Sequence, residues 1–312
     1  MSYLLVGNYG VGNLGDEALK EYFLKSFPDV EWQVLSVHPA AGEYPHFPAG
    51  IHSLFAPWWR TIGALRRSKG MVFGGGTLFT DIESPYACFL WWAHAFVARI
   101  FHKPVILAFQ GVGPFRTGAG EWFARQVFRH AAFISVRDEA SAKRVESWRL
   151  NKEIVQTFDP VFSLMHKQNN DESTHNLFLV IPRSNCTATF AARAQKIATS
   201  QQWDHIVILS LESGNIRERQ VCERIGGALG SAKIVMVSTL AHLVEHVSRA
   251  SFVLSQRYHG ALAALALGKR LEVVPQGEGD KLAELKGEWD PEVLFKLVKK
   301  GEESLKRALA AL

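Results

Sequence analysis

Cysteine is scarce in this 312-residue chain: Cys88, Cys186 and Cys222 are the only three, and no Cys-x-x-Cys spacing occurs. An odd count without that spacing excludes a disulfide framework and a cysteine zinc site, and it fits a reducing compartment. Long apolar runs are missing too. The longest, Ala87 to Ala98, has 12 residues and contains His94, against the roughly 20 that a membrane-spanning helix needs. The opening MSYLLVGNYGVGN has no basic region before its apolar residues and is broken at once by glycine, which argues against a signal peptide. Asp, His and Cys do not gather at metal-ligand spacing. The single His-x-x-x-His, His242 and His246, lacks the glutamate of a zinc-peptidase helix, so no metal is expected. The G-x-S-x-G nucleophile elbow and the G-x-x-x-x-G-K-[ST] phosphate loop are absent as well.

What is present is an ordinary globular composition, 47% hydrophobic and 21% charged, with enough apolar surface to offset chain entropy. The net charge of +5 fits an anionic substrate or an acidic membrane surface. It is too dilute to argue for nucleic acid, and none is expected. The length predicts about two domains.

Short β-rich runs alternate with helix-length segments. Tyr3–Gly7, Glu31–Val37, Met71–Phe73, Val105–Phe109, Ala132–Val136 and Ile154–Phe158 read as strands. Periodicity stops at Met165–Asn176, and a linker is expected at 166–176. Alternation resumes with Leu177–Ile181, Ile206–Leu211, Lys233–Val237, Phe252–Ser255 and Arg270–Val274. The tail, Pro291–Leu312, carries apolar residues at helical spacing. Such alternation implies right-handed crossovers and parallel sheets. The expected fold class is α/β: two doubly wound, Rossmann-like domains facing a cleft. They are residues 1–165 and 177–312, the tail helix belonging to the second. Ligands in such sheets sit beyond the carboxyl ends of strands.

After the first strand comes Gly10-Val11-Gly12-Asn13-Leu14-Gly15, a G-x-G-x-x-G match. No carboxylate ends strand two to hold a ribose, and Asp16 and Glu17 in the first helical turn would repel a pyrophosphate. A nicotinamide or flavin is therefore not expected. Two readings stay open: a glycine turn with Asp16 as helix cap, or a sugar site in which Asp16 accepts a hydroxyl hydrogen bond. Gly74-Gly75-Gly76-Thr77 follows Phe73. Three successive glycines weaken a strand, so they suggest a backbone that must approach a ligand or another loop. Gln110-Gly111-Val112-Gly113-Pro114, Arg137-Asp138-Glu139 and Asp159-Pro160 follow the next strands. Turns alone use such residues, but five in succession on one edge point to a site.

In the second half, Phe252–Ser255 is followed by Gln256-Arg257-Tyr258-His259-Gly260 and a small-residue helix. A cation and an imidazole beside a helix N-terminus form an anion site with an acid/base attached. Arg183 follows Leu177–Ile181, and Gly279-Asp280-Lys281 follows Arg270–Val274. Both fall on the same edge.

Taken in order, NYGVGNLGDEAL, GGGTLFTD, GQGVGPF, SVRDEAS, DPVFSL, SQRYHGALAALALG and GDK, spread from residue 8 to residue 281, resemble the motifs of the polysaccharide pyruvyl transferases. The resemblance implies a GT-B-like fold and a transferase. Its donor would be phosphoenolpyruvate, a substrate, with no cofactor. Its acceptor would be a sugar of a cell-surface polysaccharide or of its lipid-linked precursor, and the products a ketal and phosphate. Arg257 and His259 match the family's Arg-x-His motif, with Tyr258 where leucine is commoner, and Arg137 matches the arginine of its Arg-Asp motif. On this reading His259, Arg257 and Asp16 are catalytic, His259 being the acid. Arg137, Arg183, Lys281 and Gly260 hold the donor. Gly12, Asn13, Gly75, Gly76, Gln110 and Gly111 bind the acceptor, which places the acceptor with the first domain and the donor with the second. Two rivals share these features: a GT-B glycosyltransferase using a nucleotide sugar, and a non-catalytic sugar-binding relative.

One segment points to a surface. Phe55-Ala56-Pro57-Trp58-Trp59-Arg60 leads into a stretch with Arg66, Arg67 and Lys69 and no acid. Basic residues beside tryptophan suit the headgroups of an anionic bilayer, with Ile62 and Leu65 adding an apolar side. A cytoplasmic protein in peripheral contact with the inner face of the plasma membrane is expected. The rival is an ordinary cationic helix with its tryptophans in the core. Phe89, Trp91 and Trp92 are a second, weaker candidate, in a helix that reads as buried.

Overall fold

The computed structural model describes residues 2–48, 57–82, 84–166, 176–212, 214–230, 232–277, 280–287 and 289–312. The chain divides into two units: Met1–Val11 with Asp16–Pro160 and Lys296–Leu312, and Gly12–Gly15 with Val161–Phe295.

The first unit holds a seven-stranded sheet of β1 (Ser2–Val6), β2 (Glu31–Ser36), β3 (Tyr44–Pro45), β4 (Met71–Phe79), β5 (Val105–Val112), β6 (Phe133–Val136) and β7 (Val155–Gln156). Its order is β3-β2-β1-β4-β5-β6-β7, and every neighbouring pair is parallel. The helices are α1 (Leu14–Ser26), α2 (Trp59–Arg67), α3 (Ala87–Ile100), α4 (Gly118–His130) and α5 (Glu139–Ser147). The second unit opens with α6 (Phe162–His166). Its five strands are β8 (Leu177–Ile181), β9 (His205–Ser210), β10 (Lys233–Met236), β11 (Phe252–Ser255) and β12 (Arg270–Val273), in the order β10-β9-β8-β11-β12. They too are parallel throughout. Between them run α7 (Ala188–Ser200), α8 (Ile216–Leu229), α9 (Leu240–Ser248) and α10 (Tyr258–Ala266), and α11 (Pro291–Ala311) ends the chain. Residues of β5 and β8 are buried along their whole length, as parallel strands covered on both faces require. Strand order reverses between β1 and β4 and between β8 and β11, which sets the crevice for a ligand at those two points of each carboxyl edge.

Several expectations need correction. The tail helix does not belong to the second unit: its stretch from Lys296 packs on the first. The Tyr3 hydroxyl donates to the Leu309 carbonyl at 2.8 Å and the Thr157 hydroxyl to the Leu297 carbonyl at 2.8 Å. An amphipathic pattern says that a helix has a buried face, not which sheet it covers. The linker expected at 166–176 lies, between its end residues, outside the described residues. The three glycines Gly74 to Gly76 do not follow a strand but continue β4. Packing explains the first: a Cβ on Gly74 would overlap the Tyr9 hydroxyl and lie 2.6 Å from Leu5 Cδ1. Gly75 and Gly76 adopt φ of 84° and 82°, which glycine tolerates and other residues rarely do.

In α2, Leu65 is fully buried and Ile62 packs on the core, so neither supplies an apolar side to a membrane. Trp58 is half-buried and Trp59 is 61% exposed, beside exposed Arg60, Arg66 and Arg67. Phe55 and Ala56 lie outside the described residues.

His94 is buried and His46 half-buried beside it, an arrangement that predicts an acid-sensitive fold. His94 Nδ1 lies 2.8 Å from the Leu90 carbonyl, while Nε2 accepts from the Phe47 N–H at 3.2 Å and lies 3.3 Å from His46 Nδ1. The network therefore assigns the proton to Nδ1 and leaves Nε2 as an acceptor. Burial pulls the His94 pKa down to about 4. Burial, then the His94 charge, pulls His46 down to about 3. An unfolded histidine titrates near 6.5. The stability from keeping both rings neutral is thus fully present above about pH 6.5 and drains away as pH falls toward the folded values. Thermal melts followed from about pH 7.5 to about pH 5 should show a falling Tm. His94→Gln, which does not titrate, should remove part of that fall, and His94→Gln with His46→Gln most of it. A wild-type Tm independent of pH in this window would contradict the assignment.

Candidate active site

The carboxyl edge of the second sheet gathers the side chains that carry chemistry. At the end of β11, the Ser255 hydroxyl accepts from the Arg257 N–H at 3.1 Å and donates to the Arg257 carbonyl at 2.8 Å, turning the chain into α10. The cap position of α10, Arg257, makes no side-chain capping bond, and a helix N-terminus of this kind attracts anions. Gly260 lets that helix lie close on the sheet: a Cβ there would stand 2.7 Å from Ile181 Cδ1 and 2.9 Å from Ser255 Oγ. Its geometry is that of packing.

Arg257 is held by two carboxylates. Its NH1 lies 2.7 Å from Glu212 Oε1, and its NH2 contacts Glu218 Oε2. Glu218 is fully buried in the first turn of α8. It also accepts from the Ser210 hydroxyl at 3.1 Å and from the N–H groups of Leu211 and Glu212 at 2.8 and 2.9 Å. Asn215 caps α8 and donates to Glu212 Oε2 at 2.7 Å. Burial pushes the Glu212 carboxyl up, but Arg257, Asn215 and the Arg183 charge outweigh it and hold it below its ordinary value. Burial likewise lowers Arg257, and the two carboxylates more than reverse that. Arg257 thus spans two carboxylates, and the Arg183 charge acts on one of them as well. Neither glutamate was singled out from the sequence. Their one local signal was position, Glu212 directly after a strand and Glu218 six residues on.

The same edge brings in Arg183, just past β8, whose NH1 lies 3.5 Å from Gln276 Oε1. Asp280 accepts from the N–H of Gln276 at 2.9 Å and of Leu282 at 3.0 Å, fixing a short 3-10 helix, Lys281–Leu285. Lys281 Nζ sits 4.9 Å from the centre of the Tyr258 ring. His259 stands in the first turn of α10, edge-on to Tyr258 at 5.4 Å. The last glycine of the G-x-G-x-x-G run makes room for it, since a Cβ on Gly15 would overlap the imidazole.

The carboxyl edge of the first sheet is more tightly knit. The Asp16 carboxylate accepts from Asn8 Nδ2 at 3.2 Å. Asn13 rather than Asp16 caps α1, its Oδ1 accepting from the Gly15 N–H at 3.0 Å, while Glu17 reaches back to the Gly10 N–H at 2.6 Å. Gly12 is exposed with φ of 77°. A Cβ on Gly75 would lie 2.9 Å from Leu19, and one on Gly76 would lie 3.6 Å from Asp16 Oδ1. Gln110 is fully buried and donates to the carbonyls of Phe73 and Ala108, both at 2.9 Å. Arg137 is only 2% exposed, with NH1 2.7 Å from Asp159 and NH2 2.6 Å from the Thr77 hydroxyl. Gly111 has no room for a side chain: a Cβ would stand 2.7 Å from Thr77 Oγ1 and 3.1 Å from Arg137 Nε. Arg137, Gln110 and Gly111 are thus interior to the first unit. Among the described residues no group of three or more His, Cys, Asp or Glu side chains could hold a metal ion.

Comparison with known proteins places this geometry. No curated protein sequence matches the chain. Among solved structures, UDP-N-acetylglucosamine 2-epimerase from Rickettsia bellii superposes with a TM-score of 0.60 at 10% identity, covering 100% of this chain and 96% of that one. UDP-GlcNAc 2-epimerase from Neisseria meningitidis, bound to UDP-GlcNAc, gives 0.59 at 11% identity, covering 99% and 92%. Anabaena HepE in complex with UDP and glucose gives 0.57 at 12%, covering 100% and 94%. At such identities the likeness shows the fold, which is GT-B-like with two Rossmann-like units. The model of the polysaccharide pyruvyl transferase family matches residues 13–271. That match takes in Gly15, Asp16, Arg137, Arg183, Arg257 and His259, and by it this chain belongs to the polysaccharide pyruvyl transferase family.

Proposed function

We propose that the protein transfers a pyruvyl group from phosphoenolpyruvate to two hydroxyls of a saccharide, with His259 as the proton donor. The observation that supports this most is the placing of His259 in the first turn of α10, on the sheet edge that also holds Arg183 and Lys281. His259 gives a proton to the methylene carbon, and the neighbouring carbon becomes cation-like. The first sugar hydroxyl adds there, and its proton restores His259. The second hydroxyl displaces phosphate, and its proton leaves with that phosphate. The product carries a methyl group, a carboxylate and a closed ketal. Asp16 accepts a hydrogen bond from the acceptor in this reading.

The donor's carboxylate and phosphate need cations. Arg257, already paired with Glu212 and Glu218, is a poor source. Arg183, Lys281 and the N-terminus of α10 take that task in this reading, and Arg257 positions the strand end that carries His259. The acceptor is a saccharide of polysaccharide biosynthesis, free or lipid-linked. Phosphate release from phosphoenolpyruvate across a panel of sugars tests the reaction. Turnover of UDP-sugars instead would favour a glycosyltransferase, and binding of sugars without turnover of any donor would favour a non-catalytic relative.

Replacing His259 with Ala should lower kcat by on the order of 10²–10⁴ while donor affinity holds, and a variant keeping more than about a third of wild-type kcat would rule out the acid role. Arg183→Ala and Lys281→Ala should each weaken phosphoenolpyruvate binding, measured by calorimetry, by about tenfold or more, as loss of a charge-assisted contact predicts. Unchanged affinity in both moves the anion site elsewhere. Arg257→Ala strands the buried Glu218 carboxylate and should cost about 3–5 kcal/mol in denaturant unfolding. A loss below about 1 kcal/mol would return Arg257 to direct contact with the donor.

A further inference from the structure

Between Tyr44 and Gly120 the chain has only two carboxylates, Asp81 and Glu83, against seven arginines and lysines. Asp81 is buried and accepts from the Thr117 hydroxyl at 2.6 Å. This segment folds into α2, α3 and the approach to α4. On α3, Phe89, Phe96 and Ile100 share one face, because residues spaced by seven and by four align along a helix. With Trp122 of the adjacent α4 they are 44–57% exposed. Half-buried rings join them. Phe123 lies 5.4 Å from Phe89 and 5.3 Å from Trp92, and Trp92 stacks on Phe96 at 5.1 Å and 18°. The result is one continuous aromatic surface, of a kind that soluble monomers rarely leave open.

The rim of this surface has one sign. Arg99 ends α3, and Arg129 and His130 end α4. Burial, then the charges of Arg99, Arg129 and Lys152, pushes the His130 pKa down, so these cations stand close together. Among the described residues no carboxylate pairs with Arg99 or Arg129. The pull of helix carbonyl ends on cations explains their position, but not the rings beside them. On α2, Arg66 lies over the Phe101 ring at 5.0 Å, which carries the positive rim around the end of α3.

We propose that the outer face of α3 and α4 is a docking surface for an anionic lipid bilayer. Both helices lie in the headgroup plane, their rings in the acyl boundary and their arginines on lipid phosphates. Charge selects this occupant. A second copy of the chain meeting this face across a two-fold axis would set like-charged rims against each other, whereas an anionic bilayer complements the rim everywhere. The membrane side of the protein is therefore α3 and α4, with α2 a basic flank. This surface stands apart from the pyruvyl transfer reading, and vesicles without any saccharide test it on its own.

The test is flotation of the full chain with vesicles of phosphatidylcholine alone and of phosphatidylcholine mixed with phosphatidylglycerol. Wild type should float with the mixed vesicles, less so as salt rises, and not with the neutral ones. Arg99→Glu with Arg129→Glu should weaken this binding by at least about tenfold, each surface cation contributing about fivefold. Trp122→Ser with Phe96→Ser should weaken it comparably. Trp59→Ala with Arg67→Glu on α2 should stay within about fivefold of wild type. Absence of wild-type flotation at low salt overturns the proposal. So does loss of binding in the α2 variant with retention in both others. Sedimentation gives a third such outcome: a wild-type dimer that Trp122→Ser with Phe96→Ser dissociates, which would make the face a contact between copies.

Discussion

A charge taken out of water must be matched inside the protein, and here that requirement is met twice in the same way. In each unit the arginine that follows a strand is drawn inward by buried carboxylate: Arg137 by Asp159, Arg257 by Glu218. Breaking such a pair leaves an uncompensated charge worth several kcal/mol. Each arginine therefore locks the loops around it. Arg137 ties β6 to Thr77 of β4 and to the segment after β7. Arg257 ties the end of β11 to the turn between β9 and α8. The glycines nearby follow from this. Gly111 is bare because Arg137 and Thr77 fill the space its side chain would need. A neutralised arginine of this kind is a rigid strut.

The second consequence comes from the all-parallel sheets. Every crossover helix starts at the carboxyl edge of its sheet and ends at the opposite edge. Helix dipoles then favour acids at the first edge and bases at the second. The chain obeys: Asp16 and Glu17 begin α1, Glu121 begins α4, Glu139 begins α5 and Glu218 begins α8. Arg99, Arg129, His130 and Arg144 lie in last turns. The cations that do appear at the carboxyl edge of the second sheet, Arg183, Arg257 and Lys281, stand against this trend.

Strand positions were legible in the sequence because a parallel strand covered on both faces is a short apolar run. β8 and β11 begin and end where that pattern predicts. What escaped was set by partners far along the chain. β4 continues through three glycines because Tyr9, 65 residues earlier than Gly74, lays its hydroxyl on that strand. Glu212 and Glu218 gain their meaning from Arg257, 45 and 39 residues later. One of the two open readings makes Asp16 the cap of α1; the cap is Asn13, three residues earlier. The Arg-Tyr-His run itself was visible at once, since its significance lies in local order: strand end, cation, imidazole, small-residue helix.

α3 shows how a correct local reading can mislead about surface. Its alanines and His94 suggested a buried helix, and one face is buried: Cys88, Trp91, His94, Ala95 and Ala98 all turn inward. Phe89, Phe96 and Ile100 occupy the other side and remain exposed. A helix apolar all round needs apolar surroundings all round. One side of α3 finds them in the core of the first unit and a flank finds them in Phe123 of α4. On the outer side Phe89 meets Phe123 of α4 and Phe96 stacks on Trp92, yet Phe89, Phe96 and Ile100 stay 44–57% exposed. Those three large apolar side chains, beside Arg99 at the end of the helix, are the observation on which the proposed bilayer contact rests.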